Sequence, residues 1–353
     1  MPLAASELIC NFLFKPLISS TTNYEEYHNN YWLFASRNID SDGDFEDYLR
    51  ILFSIDEKKV IGKGRRIYIH FKNKNKQLDV EKAKSYLDEI KSGVEIYNQI
   101  ANPIKNKNIN KDISDILIKI KSTRMDASNP FLLSLLKANA IGSIDDVSTK
   151  IILNETLVLL VRRKMCEMPT QKYDIIFPNM LARIINEPDK GRAFKSRIID
   201  DGYFVSDQDF EYALINKTLY RKRDLPFTRM VLQEIDRSMQ VYGQLPDYST
   251  LETVEHILPQ TIDDDWKNYL LDDSKSIDLK LYTNSLGNLC LLSQPANSHA
   301  GQDPFESKKR DYPDVSALTR DIKDRNVKWN ISEIINRSED LSKHVLKIWA
   351  WSE

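Results

Sequence analysis

Glu255-His256-Ile257-Leu258-Pro259-Gln260 is followed by Leu286-Gly287-Asn288-Leu289-Cys290-Leu291-Leu292, then by Asn297, with Phe305 and Lys308 close behind. The order is a histidine at the end of one strand, an asparagine on a second strand and an asparagine at the start of a helix. A one-metal ββα phosphodiesterase needs that order of groups.

Phosphodiester hydrolysis requires a base that takes a proton from water and a divalent cation that neutralises charge on the phosphate and the leaving oxygen. His256 fits the base, because an imidazole titrates near neutrality. Asn297 and Glu255 offer the hard oxygens that Mg²⁺, or Mn²⁺, accepts alongside its waters. Asn288 is expected to bond the backbone of the facing loop and hold His256 in its useful orientation, as a positioning group. Neighbours in a regular strand point to opposite faces. Glu255 and His256 therefore share one site only if the strand end is bent; otherwise Glu255 supports from behind or caps a helix. Lys308 reads equally as a phosphate contact or as a solvated helix lysine. His299 can touch metal or phosphate, although a surface histidine at a helix start is the plainer reading. A lone histidine beside an apolar run is usually structural, and only the ordered set raises His256 above that.

Composition frames the site. The 353 residues suffice for two domains, each with its own core. With 50 basic and 52 acidic side chains there is no global field for nucleic acid, so binding falls to local patches. Candidates are Lys58-Lys59 through Lys63, Arg65 and Arg66; Arg162-Arg163-Lys164; Arg221-Lys222-Arg223; and Lys308-Lys309-Arg310. Each can also be an ordinary solvated face. Cys10, Cys166 and Cys290 have no paired spacing, which argues against a disulfide scaffold or a zinc staple. A small ββα unit without zinc must lean on neighbouring helices. The N-terminus lacks the basic region of a signal peptide, and no apolar run is long enough for a bilayer, so the expected place is the cytoplasm, with no membrane partner.

Periodicity predicts helices over most of the chain. The first runs from a Ser6 cap to Phe14 and ends at Pro16; others cover Tyr24 to Phe34 and Asp44 to Ile55. Val80 to Asn102 reads as one long amphipathic helix, followed by an exposed connector from Ile104 to Lys111. Ile113–Ser122, Pro130–Ala140 and the very apolar Ile151–Met165 come next, the last closing on cations suited to a helix C-terminus. Helices over Asn179–Asn186, Asp189–Asp200, Asp207–Asn216 and Arg229–Tyr242 complete this part. Gly243 to Ser249 has the turn residues of a boundary. Beyond it stand short strands at Thr250–Leu258 and Asn288–Leu292, a helix near Asp264–Leu271, and helices again from Pro304, ending with Ile331–Ile348. The expected fold is mainly α: a multi-helix domain over residues 1–245, then a small ββα-metal domain with flanking and C-terminal helices over 246–353.

Glu-His-Ile-Leu-Pro-Gln, Leu-Gly-Asn-Leu-x-Leu-Leu, Asn and Phe-x-x-Lys together resemble the C-terminal HNH nuclease domain of the GmrSD-type modification-dependent restriction enzymes. The HNH domains of CRISPR effector nucleases are similar over the same stretch. The resemblance implies His256 as general base, Glu255 and Asn297 as metal-side residues, and Asn288 as the structural asparagine of the motif. Looser similarity at Ser6 to Phe14, Tyr31-Trp32, Val161-Arg162-Arg163 and Trp329 to Trp349 extends it to the helical part. Full-length relatives usually begin with a ParB-like nucleotide-hydrolysing domain carrying an acidic-Gly-Gln-Gln-Arg type motif, and this sequence starts after that point. Gly62-Lys63-Gly64 lacks the spacing of a phosphate-binding loop. Nucleotide hydrolysis is then expected to be absent from this polypeptide, or to be supplied by an NTPase partner subunit or by a domain outside this sequence.

Two classes of function follow. One is a Mg-dependent HNH DNA endonuclease or nickase in bacterial defence, acting on foreign, modified or phosphorothioate-marked DNA, with a homo-oligomer compatible with double-strand cleavage. The other is a helical DNA- or partner-binding module whose nuclease site is silent without its NTPase. An RNA-cutting toxin is a weaker third, because the aromatic platforms of single-strand readers are not evident.

Overall fold

The computed structural model describes residues 3–20, 23–39, 44–105, 110–240, 245–270, 279–325 and 328–351. Helix makes up 70% and strand 3%, so the chain is mainly α as expected. The single sheet among the described residues has two antiparallel strands, β1 (Thr253–His256) and β2 (Leu289–Leu292). Thr253 pairs with Leu292 and His256 with Leu289.

Local sequence explains many helix starts. Asp44, Asp79, Asn110, Asp145, Asp189, Ser206, Ser293 and Asn330 each accept a bond from a first-turn N–H, answering an amide that has no helical partner. Two expectations need correction. The first helix does not stop at Pro16 but runs Ala5–Ser20, because Leu13 and Leu17 on either side of the proline are fully buried and packing carries the helix through. The Val80–Asn102 stripe is also divided, into Val80–Ser92 and Val94–Ala101. Tyr48 causes the break: its hydroxyl donates to Ile90 O at 2.6 Å, and a Cβ on Gly93 would lie 2.4 Å from that hydroxyl. Of the connector after Pro103, residues 106–109 lie outside the described set, as do 241–244 at the expected boundary.

Helix Asp146–Met165 is the central one, buried along most of its length. Its terminal cations are not a nucleic-acid patch. Arg162 is fully buried, with Nε donating to Trp349 O at 2.7 Å and Nη1 to Val205 O at 3.1 Å. Arg163 donates to the Tyr173 hydroxyl and to the carbonyls of Tyr203 and Pro169. Arg162 fastens the C-terminal chain to the helical body and Arg163 ties segments within that body, and these hydrogen bonds are why both guanidinia tolerate desolvation.

The same logic holds the hairpin. Helix Leu225–Met239 packs on both strands, and helix Ile331–Ile348 packs on the Leu286–Asn288 turn and on helices Asp207–Asn216 and Leu225–Met239. Contact at the turn is so close that a Cβ on Gly287 would sit 1.9 Å from Ile334 O. Gly287 N donates to Ser338 Oγ at 2.9 Å, and Arg337 Nη1 reaches Gly287 O and Leu289 O. Cys10, Cys166 and Cys290 are free thiols. Helices therefore do here what a zinc ion does in a stapled unit.

Candidate active site

The site grows from the C-terminal end of β1. Alternation sends Glu255 and His256 to different partners, as a regular strand requires. Glu255 is 4% exposed, and its Oε1 receives Lys308 Nζ at 2.8 Å and the Tyr312 hydroxyl at 2.9 Å. Burial raises its carboxyl above the usual range, against the opposing pull of Lys308 and the hydrogen bonds from Lys308 and Tyr312. Lys308 is fully buried and also donates to His256 O at 2.9 Å. It is thus not the solvated helix lysine that its sequence equally allows. Its ammonium ties helix Phe305–Asp311 to the end of β1.

His256 turns the other way, half-buried. Nε2 stands 3.3 Å from Asn284 Oδ1, and the ring meets Tyr220 edge-on with centroids 4.4 Å apart. Gln260 Nε2 donates to the same Asn284 oxygen at 2.9 Å. Burial, with Lys308's charge adding to it and the Asn284 bond opposing, lowers the imidazole pKa to about 4. His256 is accordingly neutral at physiological pH, with Nδ1 free of hydrogen bonds to the described residues.

Asn288 closes the loop after His256. It precedes β2 by one position, within the Leu286–Asn288 turn, rather than lying in the strand. Its Oδ1 accepts from Leu258 N at 2.8 Å and Trp329 Nε1 at 3.0 Å, while Nδ2 donates to Leu258 O and Thr283 O. The amide is fully satisfied at complete burial, so the Ile257-Leu258 turn has one shape.

Asn297 lies half-buried on helix Gln294–Ala300, which directly follows β2 and packs on β1. Its amide makes no hydrogen bond with any described residue, leaving a hard oxygen open. No cluster of three or more His, Cys, Asp or Glu side chains suited to a metal occurs among the described residues. His299 is exposed and faces Asp311 at 3.6 Å.

Three residues of this site were not assigned from sequence. Gln260 stood inside the quoted motif without a role. Asn284 comes just before the Leu-Gly-Asn run, but nothing in its spacing points at His256. Tyr220 belongs to the helical part: Leu219 N and Tyr220 N both donate to Asn284 O, at 2.9 and 3.0 Å, and Thr218 bridges to Ser285. Only the fold brings that segment to the hairpin.

A histidine on a strand end, a loop-locking asparagine and a β1–β2–helix order make up the core of the matched stretch. Residues 204–344 match the family model for the C-terminal domain of the GmrSD restriction endonucleases. This stretch is similar to a GmrSD-type C-terminal domain. The match begins in the helical part at residue 204, so it includes Tyr220 and the helices Asp207–Asn216 and Leu225–Met239 as well as the hairpin. The similarity is to a restriction-endonuclease domain and is confined to residues 204–344 of the 353. No curated protein matches the chain. No helix of the described residues is long and apolar enough to cross a membrane.

Proposed function

We propose that the protein is a metal-dependent HNH-type DNA endonuclease or nickase of a restriction system, with His256 as general base. One observation carries this reading: a neutral imidazole at the C-terminal end of β1, bonded through Nε2 and with Nδ1 unbonded to the described residues, next to a loop held by Asn288. A base must be unprotonated, and burial together with the nearby Lys308 charge keeps the His256 imidazole neutral, which supports that role.

In the reaction, Nδ1 takes a proton from water, the water oxygen bonds to phosphorus, and the bond to the departing 3′ oxygen breaks. A bound Mg²⁺ or Mn²⁺ supplies the charge neutralisation at the phosphate and leaving oxygen. Asn297 fits such an ion, which takes few protein ligands and keeps much of its water. Glu255 fits less well, since one oxygen already serves Lys308 and Tyr312. Its nearer role is to hold the end of β1, and Lys308 shares that role more than it serves as a phosphate contact. Lys222 and Arg223, exposed on the segment that docks at Asn284, are better placed to meet the DNA backbone. Cleavage of modified or phosphorothioate-marked DNA in defence, an NTPase partner and work in the cytoplasm belong to the same proposal.

The occupation of Glu255 favours a second reading, a module whose nuclease is silent until a partner rearranges the site. Supercoiled-plasmid relaxation with Mg²⁺, with EDTA and with His256→Ala separates the two. The nuclease reading expects metal-dependent nicking that falls about 100- to 10,000-fold in the variant. Absence of nicking on modified and unmodified plasmid with either metal would leave the silent module.

A further inference from the structure

Asn284 has no role beyond its place in a turn unless its amide is read atom by atom. Nδ2 donates to Lys280 O at 2.9 Å and lies 3.4 Å from Thr283 Oγ1. A reversed amide would press its oxygen against the Lys280 carbonyl, acceptor against acceptor, so the orientation is fixed by the protein itself. Oδ1 then faces His256 Nε2 and Gln260 Nε2. An amide oxygen carries no hydrogen and can only accept. His256 Nε2 must therefore hold the proton, and in a neutral imidazole the other nitrogen keeps its lone pair.

We propose that Asn284 is the positioning residue that sets the tautomer and aim of His256, keeping Nε2 protonated and presenting Nδ1 to the reacting water. The assignment of a reacting water rests on the nuclease reading; the tautomer does not. Gln260 supports the clamp by holding the same oxygen from the side. The helical part supports it too, since the Asn284 carbonyl receives the N–H groups of Leu219 and Tyr220, and the Tyr220 ring bounds the imidazole edge-on. A turn asparagine with a purely local job would be satisfied by Lys280 alone. Here the acceptor end is directed at the base.

The test is the nitrogen NMR spectrum of the intact chain labelled with ¹⁵N-histidine, with His256 assigned by the signals missing from His256→Ala. At neutral pH the expected pattern is a protonated, pyrrole-type Nε2 and a bare, pyridine-type Nδ1. A wild-type His256 protonated at Nδ1, or averaged between tautomers, overturns the proposal without any variant. Asn284→Leu removes the acceptor and should give averaged tautomers, with kcat for plasmid nicking down about 10- to 100-fold and KM unchanged. Asn284→Asp keeps an acceptor and should keep the signature. A wild-type pattern that persists in Asn284→Leu shows that the amide is not the determinant. The expected pattern in a protein that never nicks DNA would uphold the clamp and sink the nuclease reading instead.

Discussion

Glu255 and His256 are adjacent in sequence, yet one lies in a buried ionic cluster and the other in a neutral hydrogen-bonded clamp. On the Glu255 side, a carboxylate, an ammonium and a phenol satisfy each other inside the core. On the His256 side, amides from Gln260 and Asn284 and the ring of Tyr220 surround an imidazole with one nitrogen left open. Closed polar clusters fix shape and open ones leave a group for chemistry. The strand end therefore separates a closed ionic support from an imidazole with one nitrogen unbonded to the described residues, although both residues belong to one motif.

The largest stability effect should come from breaking the closed side. Lys308→Ala strands the Glu255 carboxylate in a site with almost no solvent, and loss of one partner of such a pair costs about 3–5 kcal/mol. Urea unfolding at neutral pH would read that loss as a lower midpoint with an unchanged slope. The paired change Glu255→Gln with Lys308→Met should recover most of it, because it removes both charges together. If Lys308→Ala leaves the midpoint in place and weakens only DNA binding, Lys308 is a phosphate contact and the division of labour at the strand end is wrong.

The open side predicts a smaller, pH-dependent effect. His256 titrates at about 4 when folded, below the ordinary histidine value of 6.5. Between these values the unfolded chain binds more protons than the folded one, so stability rises with pH across the window and is lost as pH falls from about 6.5 to 4. The groups that set this are Lys308, whose charge adds to the effect of burial, and Asn284, whose bond works against both. The size is about 3 kcal/mol at most. Comparing the pH dependence of unfolding in wild type and His256→Asn cancels the carboxylates that titrate in the same range. Parallel curves for the two proteins would mean that the imidazole is not held neutral by the fold.

Much of this division was legible in sequence, and the rest was hidden for identifiable reasons. The motif gave the strand-end histidine, the asparagine that bonds the facing loop and the helix after β2, because each depends on residues close in sequence or on a turn with strict chemistry. The Glu255–Lys308–Tyr312 cluster did not announce itself, since a lysine on a short helix looks solvated until its neighbours bury it. Asn284 and Tyr220 depend on a pairing between the helical part and the hairpin, which leaves no periodic trace. The missed helix break at Gly93 has the same origin, a tertiary contact with Tyr48 that local propensity cannot contain. Arg162 and Arg163 show the reverse error: a basic run at a helix end reads as surface and is in fact interior.

The smallest predicted effect concerns the rim of the open side. Arg221, Lys222 and Arg223 sit on the segment whose backbone pairs with Asn284, but they are not equivalent. Arg221 is paired with Glu167, whereas Lys222 has no ion pair with any described residue and Arg223 is 80% exposed, 3.6 Å from Asp224. If this edge meets the DNA backbone, each cation lost releases one fewer counterion. The double variant Lys222→Ala, Arg223→Ala should then bind DNA more weakly at low salt. Its plot of log affinity against log salt should be shallower by about 1 per charge removed. Fluorescence anisotropy with a short duplex in EDTA measures this without cleavage. The effect should fade near physiological salt, because a phosphate contact carries affinity and not sequence readout. An unchanged slope would move the DNA to another face, and the exposed Lys58 to Arg66 run would be the next to substitute.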